Sequence, residues 1–293
     1  MISQLFGSFL VRDGKLSFEQ LRNVYDNQSK VRVKLGLIAV SEKLLSIEQA
    51  DEINRLQAIM DKRFGDIAVE KGYLTNEQVS RLLGLQGNQY LSFVQSITDL
   101  GYLTINEIEE ALSEYQQVLG FTQTDMDDLR SGDPDRIVPL FLPPGLSEYQ
   151  VEHVLVGIRA LIRLIDSNAY VDRAYFVDTV ATNGIAMQAL EGDRKASMSF
   201  IGENDSLLSL ANVFAGEEFE EVDLDALDSV SEFINCVNGL FATKINAKLA
   251  LDMLPPNYKK EDVIVRGNLL LVPIHINGSK VSMISTFDEI ADF

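Results

Sequence analysis

The chain has 293 residues, 46% of them hydrophobic, with one cysteine, two histidines and a formal net charge of −19. That length and apolar content fit one large domain or two ordinary ones. The acidity, spread over both halves, disfavours nucleic acid and a bare anionic membrane surface as partners. The single thiol, Cys236, excludes an internal disulfide framework.

The first residues, MISQLFGSFLVRDG, lack the basic and apolar regions of a signal peptide. No apolar run approaches the ~20 residues that cross a bilayer. A cytoplasmic, reducing location is therefore expected. With so few histidines and thiols, no metal or cofactor of the protein's own is expected.

A repeat occupies residues 1–116. LFGSFLVRDGKLSFEQL at 5–21 recurs as LGLIAVSEKLLSIEQA at 35–50, FGDIAVEKGYLTNEQV at 64–79 and, more loosely, FVQSITDLGYLTINEI at 93–108. Gly7, Gly36 and Gly65 are evenly spaced, as are Leu16, Leu45, Leu74 and Leu103. Each unit reads as a short helix ending at a glycine, then a second helix opened by Ser or Thr with Gln or Glu three residues on, a capping box. One unit cannot bury its own apolar face, so the four are expected to stack as an all-α domain.

This pattern resembles the MshE-type N-terminal domain of type II secretion and pilus ATPases. Some members of that group bind cyclic di-GMP through a tandem R-L-G-x-x-L-V-x-x-G-x-L motif. The best match begins at Arg63-Phe64-Gly65 and continues to Gly72-Tyr73-Leu74. The resemblance thus implies Arg63, Gly65 and Gly72 as a nucleotide-binding set. The other units are degraded: Leu44 stands where the second unit's later glycine is expected, no arginine precedes Gly7, and the fourth unit lacks the first glycine. The degraded motif favours an interaction scaffold over a cyclic di-GMP sensor.

Residues 117–146 are rich in Asp, Gly and Pro, with prolines at 134, 139, 143 and 144. They are read as a linker, and residues 147–293 as a second domain. There the spacing predicts a helix over 150–165, strands over 174–181, 184–190 and 195–202, and a helix from Asn204 to a Gly216 stop. A long helix follows an acidic run from Glu217 to Asp228. Strands over 248–254, 268–276 and 280–287 close the chain, the last two joined by Asn277-Gly278. The fold class expected is α+β, an all-α repeat domain followed by a domain with a mainly antiparallel sheet. The apolar closing strands are read as an uncovered edge that pairs two copies, giving a homodimer.

In the long helix, Leu227, Val230, Ile234, Val237 and Phe241 form one stripe at helical spacing, the core face. Asp228, Glu232, Asn235 and Gly239 form another, nearly opposite. Glu232 and Asn235 stand together at i and i+3. A mid-helix glycine costs about 1 kcal/mol relative to alanine, which a close backbone approach by a partner would explain. An ordinary solvated face with an incidental glycine explains the same spacing.

The Glu232-x-x-Asn235 segment followed by Gly239 resembles the signature of the CheX/CheC/FliY chemotaxis phosphatases, with Val230 departing from the small residue usual nearby. The order of elements from about 150 to 290, and Leu254-Pro255-Pro256 after the helix, agree with that family. The resemblance implies hydrolysis of the aspartyl phosphate on a CheY-like response-regulator receiver domain. Asn235 would position water, Glu232 would pair with a receiver lysine, and Asp228 and Gly239 would dock. Mg²⁺ would belong to the receiver. A CheX-like adaptor without activity and a cyclic di-GMP-responsive regulator are the alternatives. His275 reads as a core or edge histidine and Cys236 as packing at the rim of the helix.

Overall fold

The computed structural model describes residues 1–245 and 249–293, apart from the side chain of Asn204. The chain divides into two compact units, Ile2–Gly132 and Asp133–Phe293.

The first unit is helical throughout the described residues. The helices come in pairs: α1 (Ile2–Arg12) and α2 (Phe18–Gln28), α3 (Leu35–Ser41) and α4 (Ile47–Met60), α5 (Phe64–Glu70) and α6 (Asn76–Gly84), α7 (Gln89–Asp99) and α8 (Ile105–Leu119). The second helix of each pair opens with a complete capping box, at Ser17, Ser46, Thr75 and Thr104. Each box satisfies backbone donors that the first turn leaves orphaned. The apolar faces meet in a core that includes Phe6, Ile38, Ile53, Ile67, Leu82 and Phe93.

The turn inside each pair needs one residue in the left-handed region. Gly14, Gly72 and Gly101 supply it at φ 71°, 71° and 69°, and Lys43 supplies it at φ 57°. The residue replacing the second unit's glycine is therefore Lys43, not Leu44. The backbone turn survives there at a steric cost that glycine avoids.

The segment expected to be a linker is structured. Helix α9 (Gln123–Ser131) belongs to the first unit and ends at Gly132, φ 75°. Helix α10 (Pro134–Ile137) and a 3₁₀ turn (Val138–Phe141) belong to the second. Pro134 starts α10 rather than breaking a helix, since proline at the first helical position loses no needed N–H. The division lies at Gly132–Asp133, inside the 117–146 segment, whose two parts each belong to a folded unit.

The second unit is α+β. Helices α11 (Glu148–Leu164), α12 (Asn204–Ala215) and α13 (Leu224–Ile245) pack on strands β1 (Tyr170–Val171), β2 (Tyr175–Gly192), β3 (Ala196–Gly202), β4 (Leu251–Met253), β5 (Asn257–Ile276) and β6 (Ser279–Phe287). The described pairings are all antiparallel, in the order β1-β5-β6-β3-β2-β4 with β5 also pairing β2. Leu271 faces both Tyr175 and Ile284, and Ile185 faces both Ile201 and Lys259. The pairings β2–β3–β6–β5–β2 thus form a ring. Ile185, Met187, Ile201, Val263, Val265, Leu269, Leu271, Ile284 and Ala291 pack together in one of its cores.

Several expectations about the strands change here. The strands at 174–181 and 184–190 are one strand, β2, bent by irregularities near Asp178 and Asn183. The strand at 268–276 is the second half of β5, which begins at Asn257. Strand β6 is paired on both sides, so 280–287 is no edge, and 270–276 is paired with it. The ground given for a homodimer is therefore removed. Of the strand expected over 248–254, residue 248 lies outside the described residues, and pairing covers Leu251–Met253.

Between the helices and the sheet, His153 of α11 is fully buried, edge-on to Phe241 at 4.7 Å and Phe287 at 5.6 Å. Burial pushes its pKa down to about 4, against a smaller upward pull from the Asn238 amide. A folded pKa below the unfolded ~6.5 means that the unfolded chain takes up the proton first. The contribution to stability is present above pH ~6.5 and is lost as pH falls toward the folded value. Between neutral pH and about pH 5 the loss should be about 2 kcal/mol. Urea unfolding of His153→Leu should show that much less acid destabilisation than the parent; an equal acid response in both would contradict the buried neutral imidazole.

Candidate functional site

Helix α13 has Asp223 just ahead of it, whose carboxylate accepts from the Ala226 N–H at 2.9 Å. Asp225 in its first turn favours the positive end of the helix dipole. The core stripe is as expected: Leu227, Val230, Ile234, Val237 and Phe241 are all fully buried. Phe233 extends it, meeting Phe200 at 5.6 Å and Phe214 at 5.5 Å. That packing holds α13 against the sheet and fixes what its other side presents.

The second stripe does not lie wholly opposite the core. Asp228 and Glu232 are exposed, but Asn235 and Gly239 are half-buried, at the margin where α13 meets β2 and β4. The reason is a contact invisible in the spacing of α13 alone. Gln188, only 2% exposed on β2, donates from Nε2 to Asn235 Oδ1 at 2.8 Å and to the Leu254 carbonyl at 2.9 Å. Its Oε1 accepts from Asn238 Nδ2 at 3.0 Å, and Asn238 is fully buried. Three amides and one backbone carbonyl therefore form a connected network behind Asn235.

Gly239 has open space around it: an added Cβ would meet only Met253 Sδ, at 3.9 Å. Nothing described inside the unit requires glycine there. Nearby, Leu240 is 59% exposed, and Met253 and Cys236 are exposed too. Cys236 thus faces solvent rather than packing at the rim. The face joins an exposed carboxylate, a tethered amide and a bare stretch of backbone to an apolar margin, a mixture that suits a protein partner better than a small molecule.

His275 lies on β5, paired between Tyr170 of β1 and Lys280 of β6, and stacks on Tyr170 with ring centroids 4.4 Å apart. Its Nε2 is 3.0 Å from Asp172, a partner that the sequence places 103 positions earlier. The carboxyl of Asp172 is held down to about 2, first by the His275 hydrogen bond and then by Lys280. Asp172, His275 and Lys280 thus form a polar cluster on their own part of the sheet.

In the first unit, the motif residues serve the scaffold. A Cβ on Gly65 would lie 2.8 Å from the Val79 side chain and 3.6 Å from that of Leu35, so the glycine lets neighbouring helices pack closely there. Gly36 and Gly7 likewise admit Phe64 and the pair Leu21 and Tyr25. Arg63 sits at the N-cap position of α5 without a side-chain capping bond and is exposed; Gly72 lies past the helix's other end. The seven residues of α5, about 10 Å of helix, separate them. Arg63 and Gly72 thus stand at opposite ends of α5, with Gly65 in its first turn.

Sequence reading missed Gln188 and Asn238. The signal was a lone amide in the apolar strand GIAMQAL, and a second asparagine three residues after Asn235. No described helix is long and apolar enough to cross a membrane.

No curated protein matches the chain. Among solved structures, the chain is similar to a chemotaxis protein CheX from Desulfovibrio desulfuricans, at 12% identity and a TM-score of 0.43, over 48% of this chain and 99% of that one. A CheC-like superfamily protein from Shewanella sp. PV-4 gives 16% identity and a TM-score of 0.44 over 49% and 100% of the two chains. A CheX–CheY–BeF3–Mg complex from Borrelia burgdorferi gives 17% and 0.41 over 48% and 99%. Residues 185–269, which hold Gln188, Glu232, Asn235, Asn238 and Gly239, match the family model of the chemotaxis phosphatase CheX.

Proposed function

We propose that the second unit is a phosphatase of phosphorylated receiver domains of the CheY type, with the α13 face as its active surface. The observation that carries the reading is Asn235: a half-buried amide, tethered from behind by Gln188, beside the exposed Glu232 and within a segment matched by the CheX family model.

An aspartyl phosphate is an activated acyl phosphate, so its hydrolysis needs positioning more than covalent help. A water oxygen attacks phosphorus in line. The P–O bond to the receiver's aspartate breaks, its electron pair returns to that carboxylate, and the water proton leaves with phosphate or solvent. Asn235 orients the water. An amide does this at any ordinary pH, since it does not titrate. Glu232 pairs with the receiver's active-site lysine and sets the docking register. Mg²⁺ sits in the receiver's own acidic pocket. Asp228 extends the acidic margin one turn earlier, and Gly239 leaves room for a receiver loop.

The test is acyl-phosphate loss from a receiver domain of the same organism, charged with acetyl phosphate, with and without the protein. Acceleration is expected. Glu232→Ala should weaken docking, and the difference from the parent should shrink as salt rises, because a screened charge pair has less to lose. No acceleration with any receiver that binds the protein would leave the adaptor reading in its place. The repeat unit is assigned as an interaction scaffold; its packed glycines support that over a nucleotide sensor.

A further inference from the structure

We propose that Gln188 is a positioning residue that fixes which end of the Asn235 amide faces the partner. The inference rests on the phosphatase reading of the site.

One group in the network cannot reverse its polarity. The Leu254 carbonyl only accepts, and it lies 2.9 Å from Gln188 Nε2. The two residues that follow, Pro255 and Pro256, have no backbone N–H to compete for it. The Leu254 N–H itself donates to the Ala189 carbonyl, which clips the segment to β2. If the Gln188 amide turned over, its oxygen would face the Leu254 carbonyl oxygen. Nε2 must therefore point this way, and its other N–H meets Asn235 Oδ1 at 2.8 Å. The same polarity turns Oε1 toward Asn238 Nδ2, at 3.0 Å. A flip of Asn238 would set oxygen against oxygen.

The consequence falls on Asn235. Its oxygen is turned inward, so Nδ2 and one remaining lone pair of Oδ1 face the partner. A free asparagine would populate both flips, and only one of them presents these groups in a given geometry. Fixing the orientation before docking removes that reorganisation from the reaction. A buried glutamine is otherwise an odd choice for this position. The neighbouring inward residues of β2, Ala186 and Leu190, are apolar and fully buried. A half-satisfied amide there would cost more than a methionine or leucine.

The experiment compares the full chain with Gln188→Met and Gln188→Glu. Methionine removes the donors at similar length. Glutamate keeps an acceptor for Asn238 but draws the Asn235 NH2 inward, reversing its polarity. For each, kcat and KM are measured on the acetyl-phosphate-charged receiver and normalised to the folded fraction from circular dichroism. Both variants should lower kcat about tenfold or more with KM within about twofold. A residue needed only for packing would lower the folded fraction and leave kcat per folded molecule unchanged; that result overturns the proposal. A second arm does not depend on turnover. In 1H–15N spectra of the parent, the Gln188 Nε2 protons should exchange slowly with solvent and the Asn235 Nδ2 protons fast. Fast exchange at Gln188 overturns the pinned amide whether or not the protein is a phosphatase. A parent without turnover overturns the phosphatase reading, and the exchange arm then decides the amide's polarity alone.

Discussion

Replacing Gly239 with leucine should abolish productive docking while the domain stays folded. The helix interior gives no reason for glycine: an added Cβ would touch only Met253 Sδ, at 3.9 Å. Relative to alanine, that glycine costs about 1 kcal/mol of helix stability. Gly239→Ala should therefore raise unfolding stability by roughly 0.5–1 kcal/mol. Gly239→Leu instead projects a side chain from the surface that carries Asn235 and the exposed Leu240. If a receiver backbone must approach here, affinity should drop at least about 30-fold, the loss of a ~2 kcal/mol central interface position. Titration calorimetry against a beryllofluoride-activated receiver checks the affinity, and thermal unfolding checks the fold. A Gly239→Leu variant that binds as tightly as the parent would return the glycine to an incidental place on a solvated face.

Asn235→Ala should have the largest effect on rate. The substitution removes a half-buried polar group from the face and leaves the exposed Glu232 and Asp228 in place. Binding is carried by the wider surface, so affinity for the receiver should stay within about threefold. Turnover should fall about 100-fold, the usual loss when one preorganised polar group aimed at the transition state is deleted. The variant also leaves one Gln188 N–H without its partner, a cost of about 1–3 kcal/mol where that group stays dry. Circular dichroism and unfolding must accompany the rates for that reason. Asn235→Asp separates shape from chemistry. It still accepts from Gln188 but turns an anionic oxygen toward the phosphoryl group, so it should be as inactive as alanine and bind more weakly.

Helix α13 was readable because its apolar residues recur at helical spacing, and burial of Leu227, Val230, Ile234, Val237 and Phe241 follows from that alone. The four capping boxes were readable because Ser or Thr with Gln or Glu three residues on has a local cause. The first half of β5 was not. NYKKEDVIVRG looks polar because its side chains are mostly exposed along the ribbon with β2, and Glu261 and Asp262 take positive φ. The prolines after Gly132 looked like a break, yet Pro134 opens a helix and Pro139 lies within a 3₁₀ turn. At the site, Glu232, Asn235 and Gly239 were legible from one helix. The tether that half-buries Asn235 was not, since Gln188 precedes it by 47 positions and is brought to it only by the sheet. Local period says which face a residue is on; it does not say what stands behind it.

The most direct test of the phosphatase reading is the decay of receiver acyl phosphate in the presence of the parent and of Asn235→Ala, measured with receiver affinity in the same buffer. Fast decay is expected with the parent, decay near the receiver's spontaneous rate with Asn235→Ala, and closely similar affinities for the two. Equal decay rates with both proteins, at equal affinity and fold, would contradict the assignment of the α13 face as a catalytic surface.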